Sequence, residues 1–235
     1  MKVLMIIPAY NEEESIVNTI KKIDKYNASA KEKVDYVIIN DGSKDNTGKI
    51  CKENNFNTIN LIHNLGIGGA VQTGYKYALE KNYDIAIQFD GDGQHDENYI
   101  DSLVGEIKNG NDFVIGSRFV SNLSEFKSTG ARRFGIKIIS FLIKLVTGFK
   151  IYDPTSGFRA ANKKVISLFA SNYPTEYPEP ESSVYLLKRG LKVKEVPVKM
   201  HERVAGTSSI KPLKSVYYMF SVCFSIIIAS LVRRK

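Results

Sequence analysis

The first 120 residues alternate short apolar runs with helix-like segments, at a repeat of about 25 residues. The apolar runs are Val3–Ile7, Val34–Ile39, Thr58–Ile62, Asp84–Phe89 and Asp112–Ile115. Short apolar runs that alternate with helices are typical of βαβ units with parallel strands. The sequence therefore predicts an α/β fold, built on a single doubly wound and mainly parallel sheet.

Helices are expected between these runs. The first is predicted to begin at the N-cap residue Asn11, because the three following glutamates suit the positive end of a helix dipole. Others are expected at about 70–81 and 97–108. Ligands of such sheets bind beyond the carboxyl ends of the strands. The polar or glycine-rich segments that follow the runs are therefore the candidate site: Pro8–Glu12, Asp41–Ser43, Gly66–Gly69, Asp90–Gln94 and Gly116–Arg118.

Cysteine content excludes two classes of protein. The 235 residues include two cysteines, Cys51 and Cys223, far apart and without paired spacing. This pattern predicts neither a disulfide framework nor a zinc site, and it favours a reducing, cytosolic setting.

The formal charge of +8 is concentrated in two stretches of the chain. Residues 126–152 carry six basic residues and no acid, and residues 199–235 carry seven basic residues against Glu202 alone. Basic patches suit nucleic acid, anionic membranes or phosphorylated substrates. No nucleic-acid-binding motif accompanies these charges, so the other two partners are favoured.

The first basic stretch predicts an amphipathic helix at about 131–148. Arg133, Lys137, Ser140 and Lys144 follow 4, 3, 4 spacing and share a narrow arc, while most other positions are apolar. Such a helix lies in a membrane interface, with its cations near anionic headgroups. The alternative is an amphipathic helix packed on the domain core.

The second basic stretch ends in residues 215–232, which carry no charge. A helix of this length spans about 27 Å, slightly less than a bilayer core. We expect residues 1–210 to form the domain and residues 211–235 to form a peripheral or partly embedded membrane anchor. A full membrane span and a buried terminal helix are the alternatives.

Two carboxylates follow the fourth apolar run, at Asp90 and Asp92 in the string Asp90–Gln94. At close range they repel by about 3 kcal/mol at an effective dielectric constant of 20, and a divalent cation relieves that repulsion. Oxygen ligands suit Mg²⁺ or Mn²⁺. The alternative is a solvated Asp-Gly turn.

The Gly66–Gly69 segment fits a dinucleotide fingerprint poorly, because it follows the third run and Val71 replaces the last glycine.

These segments, in this order and spacing, resemble the motifs of the family-two glycosyltransferases. The strings Asp153–Arg159 and Arg203–Ser209 are similar to those of its dolichyl- or polyprenyl-phosphate sugar synthase branch. The resemblance covers residues 2 to about 210. It implies a GT-A-like fold, in which residues 1–210 are the catalytic domain.

The resemblance also implies roles for individual residues. The nucleotide sugar is held by Pro8, Tyr10, Glu12, Asp41 and Asp90, with Gly68 allowing its close approach to the backbone. The metal and the donor diphosphate are held by Asp90, Asp92 and Gln94. A substrate phosphate is faced by Arg118 and by Arg132 or Arg133. The site is closed by Ser156, Arg159, Arg203 and Ser208.

The reaction implied is an inverting, Mg²⁺- or Mn²⁺-dependent transfer of a hexose from a nucleotide sugar to a polyprenyl phosphate, at the cytoplasmic membrane face. A phosphate monoester is ionised at neutral pH and needs no protein base. A saccharide hydroxyl acceptor is the alternative and needs one, for which Glu179 and Glu181 are the candidates. A third hypothesis is a non-catalytic, membrane-associated nucleotide-sugar-binding regulator, which Asp90, Asp92 and Gln94 disfavour.

Overall fold

A computed structural model of the chain describes residues 1–120, 130–200 and 212–231. The strands are β1 (Val3–Ala9), β2 (Asp35–Asn40), β3 (Thr58–Asn60), β4 (Ile85–Gln88), β5 (Phe113–Ser117), β6 (Arg159–Asn162) and β7 (Val193–Pro197). The helices are α1 (Ile16–Ser29), α2 (Thr47–Glu53), α3 (Gly66–Glu80), α4 (Ile100–Lys108), α5 (Gly130–Thr147), α6 (Lys163–Ser171), α7 (Pro178–Lys188) and α8 (Pro212–Leu231). A 3-10 turn at Glu97–Tyr99 precedes α4.

All seven strands form one sheet in the order β3-β2-β1-β4-β6-β5-β7. Its pairings are parallel except those of β6, which runs antiparallel to both β4 and β5. The prediction of an α/β fold with a mainly parallel sheet is confirmed. Strand β6 was not predicted, because its four residues, Arg-Ala-Ala-Asn, form no apolar run.

Helices cover both faces of the sheet, and β1 shows why. All seven of its residues are buried, and its side chains alternate between the two faces. Leu4 and Ile6 pack in a cluster with residues of α3, α5, α6, α7 and α8. Met5 and Ile7 pack in a second cluster with residues of α1, α2 and α4. A strand buried on both faces is the continuous apolar run that the sequence shows.

The loop after β1 differs from its prediction. Helix α1 begins at Ile16 after the N-cap Ser15, without acids in its first turn. Asn11 is not the cap, because it has a left-handed φ of 56°. Its backbone N–H donates to Ser43 Oγ over 3.0 Å, and its Oδ1 accepts from Lys44 N over 2.9 Å. Asn11 therefore binds the neighbouring loop after β2.

The C-terminal helix α8 packs against α5 and α7. Its Val222 and Ile226 are fully buried in the same cluster as Leu4 and Ile6. The described part of the predicted anchor is thus a helix that shares the domain's core. Across the described stretches, every helix falls short of the length or the apolar character that crossing a bilayer requires.

Helix α3 crosses β1 at Gly74. A Cβ at this position would lie 2.2 Å from Ile6 Cγ2, deep in the core. We expect Gly74→Ala to lower the free energy of unfolding by about 1 to 3 kcal/mol, because overpacking outweighs the gain in helix propensity. Urea unfolding measures this change.

Gly105 provides the matched control, because it also lies inside a helix, α4, but has open space around its Cβ position. Gly105→Ala should raise stability by up to about 1 kcal/mol. Equal effects of the two substitutions would contradict the close crossing of α3 over β1.

Candidate active site

A cleft of about 430 Å³ opens beyond the carboxyl ends of β1, β2 and β4. The end of β1, the loops after β1 to β4 and the first turns of α3 and α7 line it: Pro8, Ala9, Tyr10, Glu12, Asp41, Asn64, Gly66, Ile67, Ala70, Asp90, Gly91, Asp92 and Glu179. Parallel strands bring their carboxyl ends to one edge of the sheet, so residues distant in sequence meet there. Seven of the predicted site residues are in this set.

The loops after β1 and β2 are joined by reciprocal hydrogen bonds. Glu13 N donates to Asp45 Oδ2 over 3.1 Å, and Asn46 N donates to Glu13 Oε2 over 2.9 Å. Glu12 N, beside them, donates to Thr47 Oγ1 over 2.8 Å. We call this set, together with the two Asn11 bonds, the interloop clamp. It fixes the backbone that carries Tyr10 and Glu12 relative to Asp41.

The Asp45 carboxylate also accepts from Thr47 Oγ1 over 2.6 Å and from Thr47 N over 2.9 Å. Burial by itself would raise the pKa of Asp45, but the hydrogen bonds from Thr47 and from Glu13 N lower it below its ordinary value. The contribution of the Asp45 carboxylate to the clamp is therefore present at neutral pH and is lost only as the pH falls through that lowered pKa.

The Asp90 carboxylate is held through both of its oxygens. Gln88 Nε2 donates to Oδ1 over 3.1 Å, and His95 Nε2 lies 3.4 Å from Oδ2. A Cβ on Gly157 would lie 2.5 Å from Oδ2, so a side chain there would displace this carboxylate from its position. Sequence reasoning missed Gln88 and Gly157, although both stand in or beside motifs that it singled out.

The His95 ring is buried behind Asp90. Its Nδ1 accepts from the Asp90 backbone N–H over 3.1 Å, so the remaining nitrogen, Nε2, carries the proton that faces the carboxylate. The ring stacks on Phe158 with centroids 4.8 Å apart, and burial lowers its pKa. A neutral imidazole thus orients Asp90, a role that the sequence did not indicate.

The donor set at the end of β4 fits a hard divalent cation. Asp90 and Asp92 both line the cleft and offer only oxygen. Gln94 does not line it; its backbone N–H donates to Asp92 Oδ1 over 3.0 Å. Within the described ranges, no cluster of three His, Cys, Asp or Glu residues could hold a metal by itself. Two protein carboxylates with substrate phosphates and water form a shell typical of Mg²⁺.

Arg118 is placed differently from its prediction. Its side chain is 5% exposed and forms a bidentate pair with Asp153, with Nε–Oδ2 and Nη2–Oδ1 distances of 2.7 Å. Nη2 also donates to Thr155 Oγ1 over 3.0 Å. The guanidinium thus binds the loop before β6 and is not presented to a substrate phosphate. Arg133 lies on α5, at a separate cavity, and the Arg132 side chain lies outside the described part.

Arg159 and Ser156 lie beneath the site and do not close over it. Arg159 is fully buried, and its guanidinium donates to the backbone oxygens of Ser156, Pro154 and Glu179. Ser156 Oγ donates to Gly116 O over 2.6 Å. Both side chains therefore fix the loop before β6. The other two predicted closing residues, Arg203 and Ser208, lie outside the described residues.

The two candidate general bases, Glu179 and Glu181, lie at different surfaces of the protein. Glu179 lines the cleft from the first turn of α7, and burial raises its pKa. Glu181 instead lines a groove between α7 and α8.

Gly68 packs against the backbone at Pro174, because a Cβ on Gly68 would lie 2.5 Å from Pro174 O. The cleft is lined by its neighbours Gly66 and Ile67.

Sequence comparisons place this chain among known enzymes. The sequence pattern of Glycosyl transferase family 2 matches residues 5–169. The chain is 35% identical to UDP-N-acetylglucosamine–dolichyl-phosphate N-acetylglucosaminyltransferase of Methanococcus voltae, over 84% of each protein. It is 26% identical to polyprenol monophosphomannose synthase of Mycolicibacterium smegmatis, over 94% of this chain and 85% of that protein.

The fold matches a solved enzyme. Glucosyl-3-phosphoglycerate synthase from Mycobacterium tuberculosis, in complex with Mn²⁺, UDP-glucose and phosphoglyceric acid, aligns with a TM-score of 0.70. The alignment covers all of this chain and 81% of that enzyme at 16% identity, so it shows a common GT-A-like fold. With the family match over residues 5–169, the chain is a glycosyltransferase and belongs to Glycosyl transferase family 2.

Proposed function

We propose that this enzyme transfers a hexose, with inversion, from a nucleoside diphosphate sugar to a polyprenyl phosphate at the cytoplasmic face of the membrane. The observation that carries the proposal is the shared cleft, which brings the loops after β1 and β2 to the paired carboxylates after β4. The acceptor class is supported by relatives named for transfer to dolichyl phosphate and for synthesis of polyprenol monophosphomannose.

The loops after β1 and β2 supply the nucleotide side of the cleft. Pro8, Tyr10, Glu12 and Asp41 are proposed to hold the base and ribose. Asp41 Oδ1 accepts from Leu65 N over 2.7 Å, which fixes this carboxylate against the start of α3. A preorganised loop pair lowers the ordering cost of binding a nucleotide.

The carboxylates after β4 supply the diphosphate side. Asp90 and Asp92 would hold Mg²⁺ or Mn²⁺, which when bound neutralises charge on the departing diphosphate. Gln88 and His95 keep Asp90 in one orientation, and Gly157 leaves space for its carboxylate. An acceptor phosphate is already ionised at neutral pH, so its attack requires no proton transfer to the protein.

One observation favours a second reaction, transfer to a saccharide hydroxyl. Glu179 lines the cleft, and its pKa is raised by burial, as is typical of a general base. The two reactions differ in their demand on this carboxylate: a hydroxyl acceptor needs it, and a phosphate acceptor does not.

The acceptor is identified by incubating the enzyme with synthetic polyprenyl phosphate and a panel of nucleotide sugars. We expect a lipid monophosphosugar as the product. We also expect the turnover of Glu179→Gln to stay within about three-fold of the unsubstituted enzyme. An ionised phosphate needs no general base, so the substitution would not remove the factor of about 100-fold or more that such a base contributes. Mass spectrometry of the extracted lipid measures both results.

Turnover only with a saccharide acceptor, abolished by Glu179→Gln, would establish the second reaction instead. Glu176→Gln is the matched control, since this nearby glutamate lines the α7–α8 groove and not the cleft.

Asp92→Asn tests the cation site. The amide keeps the side-chain oxygen that accepts from Gln94 N but loses the negative charge. We expect kcat to fall about a thousand-fold, since a metal supplies several kcal/mol of leaving-group stabilisation. The concentration of Mn²⁺ that gives half-maximal turnover should rise as well. Normal turnover at an unchanged Mn²⁺ requirement would remove Asp92 from the site.

Asp45→Asn tests the interloop clamp. The variant replaces a carboxylate that accepts from Glu13 N and Thr47, and hydrogen bonds to charged groups are among the stronger ones. We expect the affinity for the preferred nucleoside diphosphate to fall at least about ten-fold. Isothermal titration calorimetry measures it. Asp24→Asn, at an exposed position in α1, is the control. Equal affinities for both variants would show that the clamp does not serve nucleotide binding.

A further inference from the structure

A second cavity, of about 480 Å³, lies between α5 and the segments that flank Arg118 and Asp153. We call it the basic pocket. Its lining includes four cationic residues and two aromatic ones: Arg133, Lys137, Lys144, Lys150, Phe141 and Tyr152. It shares no lining residue with the catalytic cleft. The proposed reaction does not use it.

The basic pocket has an unbalanced positive charge. Its wall carries four cationic side chains and no acid: Arg133, Lys137, Lys144 and Lys150. In the parts of the chain that the structure describes, none of the four forms a salt bridge with a carboxylate. Such a cluster attracts an anion, and phosphate oxygens suit several cations at once.

Two acids beside the residues of the pocket already have partners. Asp153 is paired with Arg118. The Glu195 carboxylate accepts from Tyr152 N and Asp153 N, over 2.8 Å in each case. Lys150 is held in the wall, because its Nζ lies 4.2 Å from the centroid of the Tyr152 ring. These two acids therefore do not neutralise the positive charge of the pocket.

An exposed apolar stripe on α5 runs beside the pocket. Phe134, Ile138, Phe141 and Leu145 follow 4, 3, 4 spacing, and Phe134, Phe141 and Leu145 are 67%, 68% and 70% exposed. Helix α8 exposes a stripe of the same spacing: Phe220, Phe224, Ile227 and Leu231. Apolar surface of this extent, bordered by cations, is typical of helices that lie in a bilayer interface.

Phe141 belongs to both the stripe and the pocket wall, so the pocket opens at the boundary between apolar and cationic surface. When the stripe lies among acyl chains, this boundary is at the level of the lipid phosphates. Inorganic phosphate has no apolar part that could pack against Phe141, so the apolar wall would not increase its affinity. An acceptor phosphate has to reach Asp90 and Asp92, in the other cavity.

We propose that the basic pocket binds the headgroup of an anionic glycerophospholipid, one molecule per chain, at a site distinct from that of the acceptor. Membrane attachment is then selective for a headgroup and saturable, and it does not depend on surface charge alone. The inference goes beyond the proposed function, because it holds whichever acceptor the enzyme uses.

Isothermal titration calorimetry on the full chain tests the pocket with dihexanoylphosphatidylglycerol, a short-chain lipid used below its micelle concentration. We expect one site per chain, and affinities at least about ten-fold lower for dihexanoylphosphatidylcholine and for inorganic phosphate. The paired substitution Lys144→Gln and Lys150→Gln should weaken binding about 25-fold, at about five-fold for each lysine near an anionic lipid.

The matched control is Lys163→Gln with Lys164→Gln, which makes the same charge change at two exposed positions on α6. It should leave the affinity unchanged, and thermal unfolding of each variant verifies the fold. Equal losses in the two paired variants, or equal binding of inorganic phosphate, would overturn the proposal.

Competition with geranyl phosphate separates the pocket from the acceptor site. This isoprenyl phosphate should leave phosphatidylglycerol binding unchanged, whereas direct competition would assign the pocket to the acceptor and overturn the proposal. No sugar transfer is measured in these titrations. Failure of the predicted reaction and failure of the lipid site are therefore observed separately.

Discussion

Strand β6 runs antiparallel to both of its neighbours, and this reversal decides which loops reach the site. Because β6 is antiparallel, it begins at the edge of the sheet where β4 and β5 end, through the register Gln88↔Arg159 and Ile115↔Arg159. The segment that precedes it therefore joins the edge of the sheet that carries the cleft. That segment contributes Asp153 to Arg118 and places Gly157 against Asp90. In an all-parallel sheet, the same segment would lie at the opposite edge.

The same reversal sets a fully buried cation, Arg159, under the cleft. Its hydrogen bonds to the backbone of Pro154, Ser156 and Glu179 connect the loop before β6 to the start of α7. A buried charge is tolerated only when such partners replace water. The charge also acts on the Glu179 carboxylate by lowering its pKa, against the larger opposite effect of burial. Arg159 thus joins two segments of the fold and also acts on a residue that lines the cleft.

The sequence predicted what depends on local pattern and missed what depends on pairing across the fold. Apolar runs identified β1 to β5, and the parallel topology then implied that Asp41, Asp90 and Asp92 meet. Strand β6 is too short and has too few large apolar side chains to be recognised from the sequence. The sequence therefore did not show that the loop before β6 binds Arg118 and Arg159, and both were expected at the surface of the site. Asn11 has the residue type of a helix cap, but tertiary hydrogen bonds to the loop after β2 hold it in the left-handed region.

A series of contacts joins the proposed membrane surface to the cleft. Ser140, on the predicted cationic arc of α5, donates its hydroxyl to Ile151 O and so fixes the segment that leads to Asp153. Asp153 in turn holds Arg118, and four residues further along the chain Gly157 contacts Asp90. These contacts join α5 to the loop that carries Gly157 beside Asp90. A helix seated on a bilayer would therefore hold, through these contacts, the loop that shapes the floor of the cleft.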